Sequence, residues 1–96
     1  GIALFQSGVP FLQKFETKEV LKYVKKIFKK NGTLLTVVPS YIGGFMALVW
    51  GSNKVDMKKN KLIKRKIKIK TTYYNEDIRK GAFYYPNFLK FLRTIQ

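Results

Sequence analysis

Neutral polar side chains follow two predicted strands of this chain, at the points where those strands end. Gln6 follows the apolar run from Ile2 to Phe5, and Tyr41 follows a second apolar run that ends at Val38. In an open α/β sheet, ligands bind at the carboxyl ends of the strands. A Gln carboxamide oxygen and a Tyr hydroxyl placed there can accept hydrogen bonds from an amine or ammonium group. The residue types also fit a plainer interpretation, in which Gln6 bonds its own loop and Tyr41 is a rim aromatic.

The composition excludes several kinds of active site. The chain contains no Cys and no His, which removes thiolate nucleophiles, imidazole bases and the usual zinc ligands. Ser40 and Ser52 therefore lack the imidazole that activates a serine nucleophile. No glycine-rich phosphate loop follows a strand, and Glu76 and Asp77 stand where acids stabilise a helix start. We therefore expect no catalytic, cofactor-binding or metal-ligating residue in this chain.

The charge balance is strongly basic, with a formal net charge of +15 from 20 Lys and Arg against five acids. Such a surface can attract phosphate backbones or anionic lipid. Most of the excess is lysine, however, and it accompanies many Ile, Asn, Phe and Tyr, residue types that share AT-rich codons. Arginine is the better reader of phosphates and bases. Compositional drift is therefore favoured, and a small basic nucleic-acid-binding protein is kept as the alternative function.

A buried strand and one helix are predicted in the first third of the chain. The run from Ile2 to Phe5 is continuously apolar, as expected for a strand that is buried on both faces. Apolar residues at helical spacing predict a helix from Thr17 to Lys30, with Thr17 as its cap. Asn31-Gly32 is predicted to end that helix.

The uncharged segment 31–53 is predicted to hold two strands joined by a turn, residues 33–38 and 45–52. Its apolar content is also long enough to suggest a membrane span. A Pro and two Gly lie at its centre, however, and such a pattern needs rescue inside lipid. No membrane partner is therefore expected.

Basic residues dominate the next part of the chain. Residues 54–70 hold nine Lys or Arg, and from Lys64 to Lys70 the basic residues alternate with Ile67 and Ile69. Alternation with a period of two predicts an edge strand with a solvated basic face. No aromatic residue is interleaved there to stack on bases, so a nucleic-acid partner is not expected.

Short helices are predicted to end the chain. Asn75 is a helix cap with acids in the following turn, and this helix ends near Gly81. Pro86 can open a last helix, whose apolar face consists of Phe88, Leu89, Leu92 and Ile95. The order of strand, helix, strand, strand and terminal helices predicts part of an α/β sheet.

Three blocks of this sequence occur in an order that a known family shares. Residues 1–11 read GIALFQSGVPF, residues 38–45 read VPSYIGGF, and residues 73–88 contain YYNEDIRKGAF and PNF. They resemble segments of the polyamine aminopropyltransferase (spermidine synthase) family. In that family a Gln precedes a Pro-aromatic pair, a Pro-Thr-Tyr-Pro-Ser-Gly turn follows, and the ending carries Tyr-Tyr-Asn, Ala-Phe and Pro-x-Phe. The resemblance covers nearly the whole chain.

The resemblance implies the carboxy-terminal portion of a methyltransferase-like Rossmann domain, with residues 1–96 as a single partial α/β domain. It implies a transferase that moves an aminopropyl group from decarboxylated S-adenosylmethionine to putrescine, in the cytoplasm. In the family, the residues matching Gln6 and Tyr41 line the acceptor site. The resemblance therefore implies that Tyr41 contacts the acceptor near its reacting nitrogen and that Gln6 orients it.

The family's donor motif and catalytic aspartates lie upstream of the matching segment. The resemblance therefore implies that this chain, which begins with Gly1 rather than Met, is a fragment without activity of its own. Its implied partners are a polyamine and the missing amino-terminal half, with a homodimer in the parent. A structural remnant that pairs through its exposed sheet edge is a further interpretation.

Several residues depart from the family pattern. Ser40 replaces the usual Thr and keeps the hydroxyl, whereas Ile42 replaces the usual Pro and is expected to loosen the turn. Arg79 stands at the position where the last part of the family pattern has a His. Gly81 stands at the following small residue and suggests that the helix after Asn75 packs differently. The net positive charge opposes the binding of a cationic substrate.

Overall fold

A three-stranded sheet is central to the computed structural model, which describes residues 1–59 and 69–94, the last two by their backbone alone. The strands are β1 (Ala3–Gln6), β2 (Lys30–Val37) and β3 (Phe45–Ser52), in the order β1-β3-β2. Both outer strands pair with β3 in the antiparallel sense. As a result, β1 and β2 run in the same direction and their carboxyl ends lie at the same edge of the sheet.

The first strand is more exposed than its sequence suggests. Ile2, Leu4 and Phe5 are 44%, 51% and 41% exposed, so the expectation of a strand buried on both faces is wrong for this chain. Leu4 and Phe5 point to opposite faces of the sheet, and no residue of β1 belongs to either described core cluster. The described residues therefore cover neither face of this strand.

Helix α1 (Lys14–Ile27) packs on the sheet through Leu21 and Val24, which contact Val49 of β3. The predicted start at Thr17 is wrong. Thr17 is fully buried inside the helix, and its hydroxyl donates hydrogen bonds to the carbonyl oxygens of Ser7 and Gln13, each at 3.2 Å. A Thr hydroxyl can bond the carbonyl four residues back within a helix, so a residue type that favours caps lies here in the interior.

The predicted helix stop at Asn31-Gly32 is also wrong. The helix ends at Ile27, Phe28 has extended backbone, and both Asn31 and Gly32 belong to β2. Gly32 is required there by packing, because a Cβ atom on it would lie 2.8 Å from Nε1 of Trp50. This glycine makes room for an indole ring and does not terminate a helix.

The two strands predicted in the uncharged segment are both present. The bounds of β3 agree with the prediction, and β2 begins at Lys30 instead of residue 33. No helix in the described part of the chain is long and apolar enough to cross a membrane. The predicted edge strand from Lys64 to Lys70 falls mostly within residues 60–68, outside the described residues.

The carboxy-terminal part confirms the predicted Asn75 cap, whose Oδ1 accepts a hydrogen bond from the Ile78 N–H at 2.8 Å at the start of α2 (Glu76–Gly81). The predicted last helix is divided into a 3₁₀ turn (Asn87–Leu89) and α3 (Phe91–Thr94). Its predicted apolar face is only partly buried: Leu89 and Leu92 are fully buried, Phe88 is 55% exposed, and Ile95 lies outside the described residues.

Leu89 and Leu92 complete a second core cluster with Tyr85, Leu35 of β2 and Ala47 of β3. Leu35 pairs with Ala47 across the sheet. Ala47 and Val49 are two residues apart on β3 and therefore point to the same face. The carboxy-terminal segment and α1 thus pack on the same face of the sheet.

Candidate functional site

A cleft of about 460 Å³ lies beside the sheet edge where β1 and β2 end. Gln6, the last residue of β1, and Tyr41, which follows β2, both line this cleft. The structure thus brings together the two candidate residues that the sequence placed at strand ends. They meet because β1 and β2 run in the same direction on either side of β3. Their role in binding an amine stays a prediction.

Tyr41 is held at the tip of a closed turn between β2 and β3. The Val38 N–H donates to the Gly44 carbonyl at 2.8 Å, the Tyr41 N–H to the Val38 carbonyl at 3.0 Å, and the Gly44 N–H to the Tyr41 carbonyl at 3.0 Å. Gly43 and Gly44 both have positive φ angles, which glycine adopts at little cost. The turn is closed by backbone bonds with Ile42 in place, and it leaves Tyr41 43% exposed at the cleft.

Gln6 is positioned by the residue that follows it. The backbone N–H and the hydroxyl of buried Ser7 both donate to the Ala47 carbonyl, at 3.1 and 2.9 Å. The Thr17 hydroxyl donates to the Ser7 carbonyl from α1. Within the described residues the Gln6 side chain makes no hydrogen bond of its own, so its carboxamide is available at the cleft.

The loop between β1 and α1 also lines the cleft, through Gly8, Val9 and Gln13. The sequence predicts a loop at this place but does not indicate its part in the cleft. Gln13 accepts a hydrogen bond at its Oε1 from the Val9 N–H at 2.9 Å, while its own N–H donates to the Val9 carbonyl at 2.7 Å. Gly8 has φ +97°, and a Cβ there would lie 2.6 Å from the same Oε1. The Gln13 side chain therefore contributes to holding the loop between β1 and α1, together with backbone bonds such as that from the Ala47 N–H to the Gly8 carbonyl at 2.9 Å.

Glu16 also lines the cleft, and it is the one acid among the lining residues. Sequence reasoning missed it because a helix starting at Thr17 leaves Glu16 outside the helix. With α1 starting at Lys14, Glu16 lies in the first turn, one turn before Val20, which lines the same cleft. No capping-box signal marks this helix start, because the residue before α1 is Gln13, which makes no side-chain cap bond.

The cleft therefore combines a neutral carboxamide, a phenol hydroxyl and a carboxylate, from Gln6, Tyr41 and Glu16. All three can accept hydrogen bonds, and the carboxylate also attracts positive charge. Among the residues the structure describes, no group of His, Cys, Asp or Glu is arranged to hold a metal ion. Such acceptor groups can form hydrogen bonds with an amine or ammonium group.

Comparison with known proteins identifies the family. Residues 1–61 match the model of the spermine/spermidine synthase domain. The chain belongs to the spermine/spermidine synthase family. A polyamine aminopropyltransferase of this family from Buchnera aphidicola subsp. Acyrthosiphon pisum is 42% identical over 94 residues, and one from Pseudomonas aeruginosa is 33% identical over 94 residues. Each match covers 93% of this chain and 33% of the relative, so the chain spans about a third of the length of these relatives.

Solved structures of the spermine/spermidine synthase family confirm the predicted α/β fold. The crystal structure of spermidine synthase from Thermotoga maritima superposes with a TM-score of 0.85 at 23% identity, covering all of this chain and 35% of that one. A spermidine synthase in complex with the transition-state analogue AdoDATO gives a TM-score of 0.75 at 20% identity and covers 33% of that chain.

Proposed function

We propose that residues 1–96 form one partial domain that supplies the acceptor side of a polyamine aminopropyltransferase. The observation that carries this proposal is that Gln6 and Tyr41, from the ends of two strands, line one cleft. The membership of the spermine/spermidine synthase family supports it. The acceptor proposed for the whole protein is putrescine, and the donor is decarboxylated S-adenosylmethionine.

In this reaction the nitrogen of the acceptor attacks the aminopropyl carbon beside the sulfonium. A carbon–nitrogen bond forms as the carbon–sulfur bond breaks, the sulfonium leaves as a neutral thioether, and the nitrogen loses a proton. Gln6 and Tyr41 are neutral, so their proposed part is to orient the amine for attack, with Tyr41 near the reacting nitrogen and Gln6 supporting it. Holding reactants in such geometry supplies much of the rate enhancement of a two-substrate reaction.

The remaining parts of the reaction require groups outside this sequence. These 96 residues contain no glycine-rich donor loop and no His, and in the family that the sequence resembles the donor motif and the catalytic aspartates lie upstream of the matching segment. We therefore assign donor binding and proton removal to an amino-terminal part of the enzyme. A homodimeric, cytoplasmic parent belongs to the same proposal.

The nucleic-acid alternative gains no support from the comparisons, since the relatives and structures named above are aminopropyltransferases or spermidine synthases. The alternating basic stretch that suggested it lies mostly outside the described residues.

The test is a chimera in which this chain replaces the matching segment of the Buchnera aphidicola enzyme. We expect the chimera to form spermidine from putrescine and decarboxylated S-adenosylmethionine, and the 96-residue chain alone to form none. Tyr41→Phe should lower kcat/KM about five- to tenfold, because it removes one hydrogen bond. Turnover by the chain alone would contradict the partial-domain proposal. A folded chimera without turnover, or a Tyr41→Phe variant with unchanged kcat/KM, would contradict the acceptor role.

A further inference from the structure

The two halves of a diamine acceptor need different chemistry from the cleft. The attacking nitrogen must be neutral when it reacts, whereas the far nitrogen of an alkyl diamine is protonated at neutral pH, as a lysine side chain is. A carboxylate beside an amine stabilises its charged form. Neutral groups such as Gln6 and Tyr41 therefore suit the reacting end, and a carboxylate suits the far end.

Glu16 supplies a carboxylate that lines the same cleft. We propose that Glu16 binds the second, protonated amine of a diamine acceptor whose reacting end lies at Gln6 and Tyr41. This inference rests on the proposed function of the cleft. The three side chains line the same cleft, and its volume of about 460 Å³ lies within the range of small-molecule sites, about 300–1,000 Å³.

The charge distribution singles out Glu16 among the five acids of the chain, all of which lie in the described part. Asp56 accepts hydrogen bonds from the backbone N–H groups of residues 58 and 59. Glu76 pairs with Arg79 at 2.9 Å, and Asp77 lies beside Glu76 in the first turn of α2. Glu19 is half-buried on α1 and does not line the cleft.

Glu16 is exposed and, within the described residues, makes no ion pair or hydrogen bond. Lys14 and Lys18, its neighbours on α1, place their ammonium groups over the Phe91 ring, at 4.7 and 5.6 Å from its centroid. The carboxylate is thus left for a ligand. In a chain with a net charge of +15, one anionic group in the cleft offsets the local repulsion of a cationic substrate.

A competing role for Glu16 is purely structural, because an acid in the first turn stabilises a helix through its dipole. The two roles predict different results with two acceptors. 1,4-Diaminobutane, which is putrescine, carries the second ammonium group. 1-Aminobutane has a carbon chain of the same length without that group. If Glu16 only stabilises the helix, replacing it should affect the kinetics of both acceptors alike and lower the melting temperature. If Glu16 anchors the far amine, replacing it should affect the kinetics of the diamine alone.

The experiment compares Glu16→Gln with the control Glu19→Gln in the Buchnera chimera. We expect Glu16→Gln to raise KM for 1,4-diaminobutane about tenfold, with kcat and the kinetics of 1-aminobutane little changed, and Glu19→Gln to leave KM for both acceptors unchanged. Equal effects of the two variants, or an equal loss with both acceptors, would overturn the role of Glu16.

A second measurement uses the 96-residue chain itself. In an NMR titration of the parent chain with 1,4-diaminobutane, we expect chemical-shift changes at Gln6, Glu16 and Tyr41. The changes at Gln6 and Tyr41 should become several-fold smaller in Glu16→Gln and should persist in Glu19→Gln. Shifts that are the same in both variants would overturn the inference. A folded parent chimera that is inactive with both acceptors would instead contradict the proposed function, and this titration would still decide whether Glu16 binds a diamine.

Discussion

The Gln13 side chain accepts a hydrogen bond from the backbone N–H of Val9 at 2.9 Å. A second bond joins the same two residues, from the Gln13 N–H to the Val9 carbonyl at 2.7 Å. Gln13 immediately precedes α1, and Val9 lies in the loop that leaves β1. These bonds therefore couple the start of the helix that carries Glu16 to the loop that follows Gln6.

Replacing Gln13 should loosen the loop between β1 and α1, which lines the cleft. We expect Gln13→Ala to lower the free energy of unfolding by about 1 kcal/mol, because it leaves the Val9 N–H without its acceptor. Urea denaturation of the 96-residue chain measures this change. Gln13→Glu keeps an acceptor oxygen at the same position and is the matched control. Equal stability of Gln13→Ala and the parent chain would show that this bond contributes nothing.

Tyr85 and Thr33 form a buried polar contact between β2 and the carboxy-terminal segment. The Tyr85 hydroxyl donates to the Thr33 carbonyl at 2.8 Å and also contacts the Thr33 hydroxyl. Tyr85→Phe removes both bonds and should destabilise the fold by about 1–3 kcal/mol. A double-mutant cycle with Thr33→Val should show a coupling energy of at least about 0.5 kcal/mol. Strictly additive effects in urea denaturation would contradict the contact.

The close approach of Trp50 to Gly32 predicts opposite effects for two glycine substitutions. Gly32→Ala should cost about 1–3 kcal/mol of stability, because its Cβ would lie 2.8 Å from the indole nitrogen. Gly81→Ala is the matched control, since Gly81 lies in α2 with nothing within 4 Å of a Cβ. It should stabilise the chain by up to about 1 kcal/mol. Thermal unfolding of both variants measures the difference, and a neutral Gly32→Ala would contradict the packing argument.

The Arg79–Glu76 ion pair predicts a small pH dependence. The hydrogen bond from Arg79 lowers the pKa of Glu76 below its ordinary value of 4.5, and the charges of Arg79 and Lys80 act in the same direction. A depressed carboxyl pKa contributes stability that is present above the unfolded value and is lost as pH falls through the folded value. Glu76 is exposed and Arg79 is half-buried at the surface, so this contribution is small and is screened by salt.

An NMR titration of the Glu76 carboxyl checks this assignment. We expect Arg79→Ala to raise the pKa of Glu76 toward 4.5 and Lys80→Ala to change it less, since Lys80 makes no hydrogen bond to it. A Glu76 pKa that is the same with and without Arg79 would refute the pairing. The result also shows what an Arg does at the position where the family pattern has a His.

Features that depend on neighbouring residues could be predicted from the sequence. The order of strand, helix, strand and strand, the bounds of β3 and the Asn75 cap follow from local hydrophobic periodicity and local hydrogen bonding. The placement of Gln6 and Tyr41 at strand ends was predicted in the same way, although Gln6 is the last residue of β1 and does not follow it. Family membership could also be predicted from the sequence, because each matching motif is an unbroken run of residues.

Only the tertiary structure decided which of these residues meet and what the ambiguous ones do. Thr17 and Gly32 have the local chemistry of a helix cap and a helix stop, but burial against Ser7 and close packing on Trp50 assign them other roles. Glu16 joins the cleft because α1 starts earlier than its periodicity indicates. The cleft itself exists because β3 inserts between two strands of the same direction. That pairing depends on contacts between distant parts of the chain, which no local pattern records.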